Sequence, residues 1–276
     1  MSKIETLPKP FSVEQELLHN KERLRQGPPT VIKIGSTEDT SKIVSHIGFL
    51  VNKIGARIIV FHGGGPEIDK ELQKKGIIPE KINGLRVTDK ETLKIVVDVL
   101  DRKNKELVHS LQQIGVNAVG YDSTSHIIKA AIKDERLGMV GKVICVDTRK
   151  LGGDVGNQRV PVVSPIGIMH NNNRQHLNVN GDESAGAVAR AYRANLVLVT
   201  DVEGVLDPDR NLIREISYIR FKEMQRKGFI TGGMIPKLEA AFVVANFGGQ
   251  ATICRESDVL HAFSANPRGT VSMPKQ

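Results

Sequence analysis

Apolar residues along this chain follow two spacings. Short runs of five or six residues, rich in branched aliphatics, read as buried strands: "TVIKI", "RIIVFH", "VNAVGY", "KVICV", "VPVVS", "HLNVN", "NLVLVT" and "QATIC". Between several of them the spacing becomes helical. Residues 41–54 carry Ile43, Ile47, Leu50 and Ile54 on one face, and Gly55 ends that helix. "PEIDKELQKKG" is the next helix, with Pro66 suited to its first position. Further helices are predicted over 182–193, near 219–227 and over 235–247. Strands alternating with helices predict an α/β fold with a mainly parallel sheet covered by helices.

A separate helix is predicted ahead of the first strand, over residues 12–26. Ser12 caps it with Gln15 in the capping-box position, and Gly27-Pro28-Pro29 stops it. Val13, Leu17 and Leu24 form a stripe that Leu18 widens. Such a stripe docks either on its own domain or on another subunit, and the pattern allows both. The polar run "HNNNRQH", residues 170–176, reads as a turn before "LNVN" rather than as a metal site.

The 276 residues, 39% of them hydrophobic, suffice for one large domain or two joined lobes. No stretch approaches the roughly 18 consecutive apolar residues of a membrane span. The first 26 residues hold no apolar secretory segment, and their glutamates argue against a transit peptide, so cytoplasmic residence is expected. Cys145 and Cys254 sit in apolar runs at a spacing that fits no zinc site, and read as reduced core thiols. The net charge is +8, yet basic residues are scattered among acids, as in "KETLKIVVDVLDRKNKE". Aromatics are 4% and Trp is absent, so stacking platforms for nucleic acid are scarce; small anionic substrates suit the charge.

Candidate chemistry gathers at the ends of these elements. "FHGGGPEID" places three glycines, Gly63 to Gly65, between a strand and a helix, where free N–H groups and the helix dipole favour an anion. His62 beside them reads as structural. Lys33 ends a strand next to the Gly35 turn, where it is either solvated or a point charge for phosphate. Arg86, after the turn in "NGLRVTD", is either a surface residue or a fork for a carboxylate. In "LNVNGDESAG", Asp182 caps a small-residue helix or organises nearby lysines. "LVTDVEGVLDPD" is a strand leading into a polar glycine turn, and "TGGMIPKLEAA" puts Lys237 at a helix start. No Ser-His-Asp, paired-carboxylate or cysteine nucleophile pattern competes. Two lysines, an arginine, glycine turns and one aspartate suit phosphoryl transfer, which relies on positioning and charge neutralisation.

With "VIK-x-G", "HGGGPEID", "NGLRVTD", "LGMVGKV", "LNVNGDESAGAVA", "LVTDVEGVL" and "GGMIPKLEAA" in this order over about residues 30–254, the chain resembles the amino acid kinase family, and within it the acetylglutamate kinases. The resemblance implies a three-layer αβα sandwich around an eight-stranded sheet, preceded by the extra helix of residues 1–27. An N-lobe of about 28–194 would bind the acyl amino acid and form a dimer, and a C-lobe of about 195–276 would bind ATP. The implied reaction is transfer from ATP with Mg2+ to the side-chain carboxylate of N-acetyl-L-glutamate, the second step of arginine biosynthesis. By the same resemblance Lys33 and Lys237 would stabilise the transferring phosphoryl group, with Asp182 holding both. Gly64 and Gly65 would present N–H groups to phosphoryl and substrate, and Gly35, Ser36 and Gly63 would form the phosphate loop. Arg86 and Asn178 would hold N-acetylglutamate. Thr200, Asp201, Gly204, Leu206, Phe229, Ile230 and Thr231 would line the nucleotide site. No residue is implied as a direct metal ligand. A homodimer is implied, extending to a hexamer through the N-terminal helix.

Two departures stand out. Ser36 replaces a glycine usual after the first lysine, and is expected to leave an altered but working loop. In the tail "RESDVLHAFSANPRGTVS", His261 stands where arginine-inhibited members carry Glu, which argues against arginine feedback. Two other readings of the chain are a catalytically weakened kinase domain serving as sensor or partner subunit, and a kinase for a related acyl amino acid.

Overall fold

The computed structural model describes residues 12–35 and 40–274. Numbered in chain order, its strands are β1 (Thr30–Ile34), β2 (Ile58–His62), β3 (Lys81–Ile82), β4 (Leu85–Arg86), β5 (Ala118–Tyr121), β6 (Ile128–Ile132), β7 (Val140–Val146), β8 (Val160–Val163), β9 (Ile166–Met169), β10 (Asn172–Val179), β11 (Leu196–Thr200), β12 (Glu215–Ile216), β13 (Ala251–Arg255) and β14 (Thr270–Ser272). The helices are α1 (Val13–His19), α2 (Lys21–Gln26), α3 (Ser41–Phe49), α4 (Gly65–Lys74), α5 (Lys90–Gln113), α6 (Thr148–Gly156), α7 (Gly181–Tyr192), α8 (Tyr218–Arg226) and α9 (Met234–Asn246). Eight strands form the main sheet in the order β12-β14-β13-β11-β1-β2-β8-β5. Neighbours are parallel except β13 and β14.

Every residue of β1 and β2 is buried, because helices cover both faces. Alternation along the strands divides the core in two. Val31, Ile59 and Phe61 pack with α6, α7, α8 and α9. Ile32, Ile34, Ile58 and Val60 pack with α3, α5 and Leu17 of α1. Lys33 therefore emerges on the same side as α7 and α9. This is the expected three-layer sandwich.

Several elements differ from the sequence reading. "KVICV" and "HLNVN" belong to a separate four-stranded closed barrel, β10-β7-β6-β9, rather than to the main sheet. The polar run 170–176 turns only at 170–171; from Asn172 onward it is already β10, whose first three residues are exposed and tolerate polar side chains. Cys145 is exposed, not a core thiol, because the β6–β7 register shifts at Ile144, and at this irregularity both Ile144 and Cys145 are exposed. Cys254 is buried as expected, and burial pushes its thiol up to about 12. The longest helix, α5, was not foreseen among its mixed charges.

The helix predicted over 12–26 is broken at Asn20, whose side-chain amide donates to the Glu16 carbonyl at 3.1 Å. The Ser12–Gln15 capping box is present. Leu17 is 1% exposed, and Val13 and Leu24 pack on the same core. Arg23 donates to the Phe263 carbonyl at 3.0 Å, and the Ala265 N–H donates to Glu16 at 2.8 Å. The apolar stripe is thus spent within its own subunit, leaving Leu18 at 44% exposure.

Removing the buried side chain by Leu17→Ala is expected to lower stability by about 2–4 kcal/mol. Leu18→Ala should change it by about 0.5 kcal/mol or less. Urea unfolding at two protein concentrations checks this; a Leu17 effect that appears only at high concentration would assign the helix to an intersubunit contact.

Candidate active site

Three helix N-termini meet at the end of β1. Gly181, the first residue of α7, lies so close that an added Cβ would sit 3.1 Å from Lys33 Cε and 3.7 Å from the His62 carbonyl oxygen. A Cβ on Gly63, just before α4, would lie 3.8 Å from Lys33 Nζ. Lys237, in the first turn of α9, reaches Asp182 in the first turn of α7. Helix starts carry unpaired N–H groups and a positive dipole end, so their convergence favours an anion.

At the focus Asp182 is shared by two lysines. Lys33 Nζ lies 2.9 Å from Oδ1, and Lys237 Nζ lies 3.2 Å from Oδ1 and 3.1 Å from Oδ2. All three side chains are buried. Burial pushes the Asp182 carboxyl up, but the two ammoniums outweigh it and hold it below the usual 3.8. Burial lowers the Lys33 ammonium, aided by Lys237 and opposed by Asp182. Two ammoniums against one carboxylate leave surplus positive charge in a place shielded from water.

Local sequence explains the meeting. Asn180 caps α7, accepting from the Asp182 and Glu183 N–H groups, so Asp182 is free of capping duty. Glu183 accepts from the Val143 N–H at 2.9 Å and pairs with Lys133, fastening α7 to the barrel. Small residues let α7 and α9 touch: a Cβ on Gly186 would be 3.0 Å from Ala240 Cβ. Gly35 packs equally tightly; its Cβ would meet the Val199 carbonyl oxygen of β11.

Arg86 is buried and oriented by neighbours. Its Nη1 pairs with Asp69 Oδ1, and Nη2 donates to the Gly65 carbonyl at 3.3 Å. Lys81 shares Asp69 at 3.1 Å. This ties "NGLRVTD" to the triple-glycine turn. Asn178 donates to Thr88 Oγ1 at 3.0 Å, and Met139 N–H donates to the Thr88 carbonyl at 2.6 Å, so "LGMVGKV" belongs to the same cluster. The turn Asn83-Gly84 has positive φ at both residues, and a Cβ on Gly84 would lie 2.9 Å from the Gly232 carbonyl oxygen. The β3–β4 hairpin thereby meets the loop that leads into α9.

The expected nucleotide residues are less uniform. Thr200 ends β11 and donates to Asp201 Oδ1 at 3.1 Å. Gly204 packs on Thr270, which also accepts from the Val205 N–H, and Leu206 bridges to Leu212. Phe229 and Thr231 are exposed, whereas the Ile230 side chain is spent in the core at 3% exposure. Ser36 lies outside the described residues.

The chain belongs to the amino acid kinase family, whose model matches residues 28–255. Among its relatives is an acetylglutamate kinase of Methanococcus vannielii, 40% identical over 253 residues, covering 84% of this chain and 85% of that one. The crystal structure of smu.665 from Streptococcus mutans superposes with a TM-score of 0.76 at 31% identity, covering 88% and 98%. An N-acetylglutamate synthase from Neisseria gonorrhoeae shares the fold, with a TM-score of 0.81 at 20% identity over 97% of this chain and 64% of that one.

Asp182→Asn would leave two buried ammoniums facing each other. A loss of about 3–5 kcal/mol is expected from denaturant unfolding at neutral pH. The folded Asp182 titrates below its unfolded value, so its contribution is complete above that ordinary value and fades as pH falls toward the lower one. Acid unfolding should be correspondingly less steep in the variant.

Proposed function

We propose that this protein is an acetylglutamate kinase, transferring the γ-phosphoryl group of ATP to the side-chain carboxylate of N-acetyl-L-glutamate in arginine biosynthesis. The observation that carries this reading is the surplus positive charge of Lys33 and Lys237 around Asp182, at three converging helix starts, in a chain 40% identical to a relative of that name. A carboxylate oxygen attacks the γ-phosphorus, the bond to the β–γ bridging oxygen breaks, and ADP leaves with that electron pair. The two lysines meet charge on the transferring group from either side, and Asp182 keeps them apart and aimed. Gly64 and Gly65 offer backbone N–H groups.

In this reading the acyl amino acid lies on residues 28–194, held by Arg86 and Asn178. Asp69 presents the Arg86 fork by occupying one of its nitrogens. The nucleotide lies on residues 195–276, against Thr200, Asp201 and the segment from Phe229 to Thr231, with Ile230 contributing backbone alone. Magnesium arrives with ATP and is held by phosphate oxygens; both Asp182 oxygens are already taken by lysines. A homodimer through the N-terminal lobe and residence in the cytoplasm complete the proposal. No helix among the described residues is long and apolar enough to cross a membrane.

Hydroxylamine trapping of the acyl phosphate, with ATP, Mg2+ and N-acetylglutamate beside N-acetylaspartate and glutamate, tests the activity. No product with any acyl amino acid would overturn it in favour of a weakened sensor domain. Lys33→Ala or Lys237→Ala should lower turnover about 100-fold or more, with a smaller change in ATP affinity. Near-native turnover would remove that lysine from the mechanism.

Arg86→Lys keeps the charge but loses the planar fork. The KM for N-acetylglutamate should rise much more than that for ATP in steady-state kinetics. Equal changes in both would make Arg86 a structural residue.

A further inference from the structure

His62 ends β2 immediately before the triple-glycine turn and is 2% exposed. Its ring is held from both sides. Nδ1 lies 3.1 Å from the Gly63 carbonyl oxygen. Nε2 lies 3.2 Å from Asn104 Nδ2 and 3.1 Å from Ser164 Oγ. Asn104 is 1% exposed on α5 and Ser164, just after β8, is 2% exposed, so three elements invest buried polar groups in one imidazole.

The partners fix the proton. A carbonyl oxygen only accepts, so Nδ1 carries the hydrogen. The Asn104 amide nitrogen donates to the Val162 carbonyl at 2.9 Å, which sets its orientation and leaves its second hydrogen for Nε2. The ring is then neutral, with a donor toward Gly63 and an acceptor toward α5. Burial, the leading cause, lowers its titration to about 4, consistent with that state.

A trans peptide carries its C=O and N–H on opposite sides. Holding the Gly63 carbonyl toward the imidazole turns the Gly64 N–H away from it. That N–H has no acceptor among the described residues. We propose that His62 is a positioning residue: its Nδ1–H clamps the Gly63 carbonyl and so aims the Gly64 N–H at the phosphoryl group that Lys33 and Lys237 handle. The role rests on the kinase reading. It goes further by making the glycine turn, otherwise free to rotate its peptides, a preorganised donor.

Two substitutions separate this from plain packing. In His62→Asn the amide nitrogen replaces Nδ1, so the clamp is kept while the contact to Asn104 is lost. In His62→Gln the amide replaces Nε2, so the contact to Asn104 is kept while the clamp is lost. The kcat of His62→Gln is expected to fall at least about tenfold below that of His62→Asn, part of the effect of losing one preorganised donor. The KM for ATP and the melting temperature should be similar in the two variants. Equal kcat values, or a kcat that merely follows melting temperature, would overturn the proposal. Nitrogen-15 NMR of the native chain at pH 7 supplies a readout that does not depend on catalysis. A neutral ring protonated at Nδ1 is expected; protonation at Nε2 would overturn the clamp even if kinase activity is found. A native chain that makes no acyl phosphate sinks the kinase reading, while the tautomer still decides whether the Gly63 carbonyl is held.

Discussion

One buried carboxylate between two buried ammoniums governs the rest of the site. Desolvating three charges is costly, and the arrangement persists only because Asp182 contacts both lysines near 3 Å. The three side chains come from β1, α7 and α9. None of these elements can shift without separating a charge from its partner. The surplus charge finds its complement only when an anion enters, so the site is electrostatically set for an anion rather than for a neutral ligand.

The packing around this triad serves that geometry. Gly186 against Ala240 sets how closely α7 and α9 approach, and Gly35 against Val199 sets how closely β1 follows β11 into its turn. Neither glycine is needed for a positive φ; both are needed for room. Asn180 and Glu183 take over capping and fastening, so that Asp182 answers only to the lysines. The cluster around Arg86 is assembled by the same economy of contacts: Asp69 orients Arg86, Arg86 grips Gly65, and Thr88 joins Asn178 to Met139.

Much of this was legible in the sequence where local pattern and final role coincide. The branched runs that became β1, β2, β8, β11 and β13 announced the sheet, and the glycine turns at their ends marked the candidate site. Asp182 was ambiguous because its capping position is as natural as its triad role; only the third dimension shows Asn180 doing the capping. The barrel was missed because strands of a small closed sheet look like strands of a large one until pairing is known. Asn104 is a different case. It sits in the stripe Leu93, Val96, Leu100, Asn104, Leu107 and Leu111 of α5, all buried, and a polar residue at an apolar position was a readable signal. Surrounding charges masked that periodicity. Asp69 and Thr88 carried no such mark, since nothing along the chain says they face Arg86 and Asn178.

The pairing of β1 has a consequence for how the chain comes into being. On one side β1 joins β2, close in sequence, but on the other its partner is β11, with Val31 opposite Leu196. As the polypeptide leaves the ribosome, one edge of this wholly apolar-flanked strand waits for a segment about 165 residues downstream. Asp182, the partner of Lys33, emerges before β11, but the triad is complete only when α9 has followed with Lys237. Parallel pairings over such separations form slowly and leave an adhesive edge exposed meanwhile. The half-made protein therefore carries its most adhesive edge on the strand that bears Lys33.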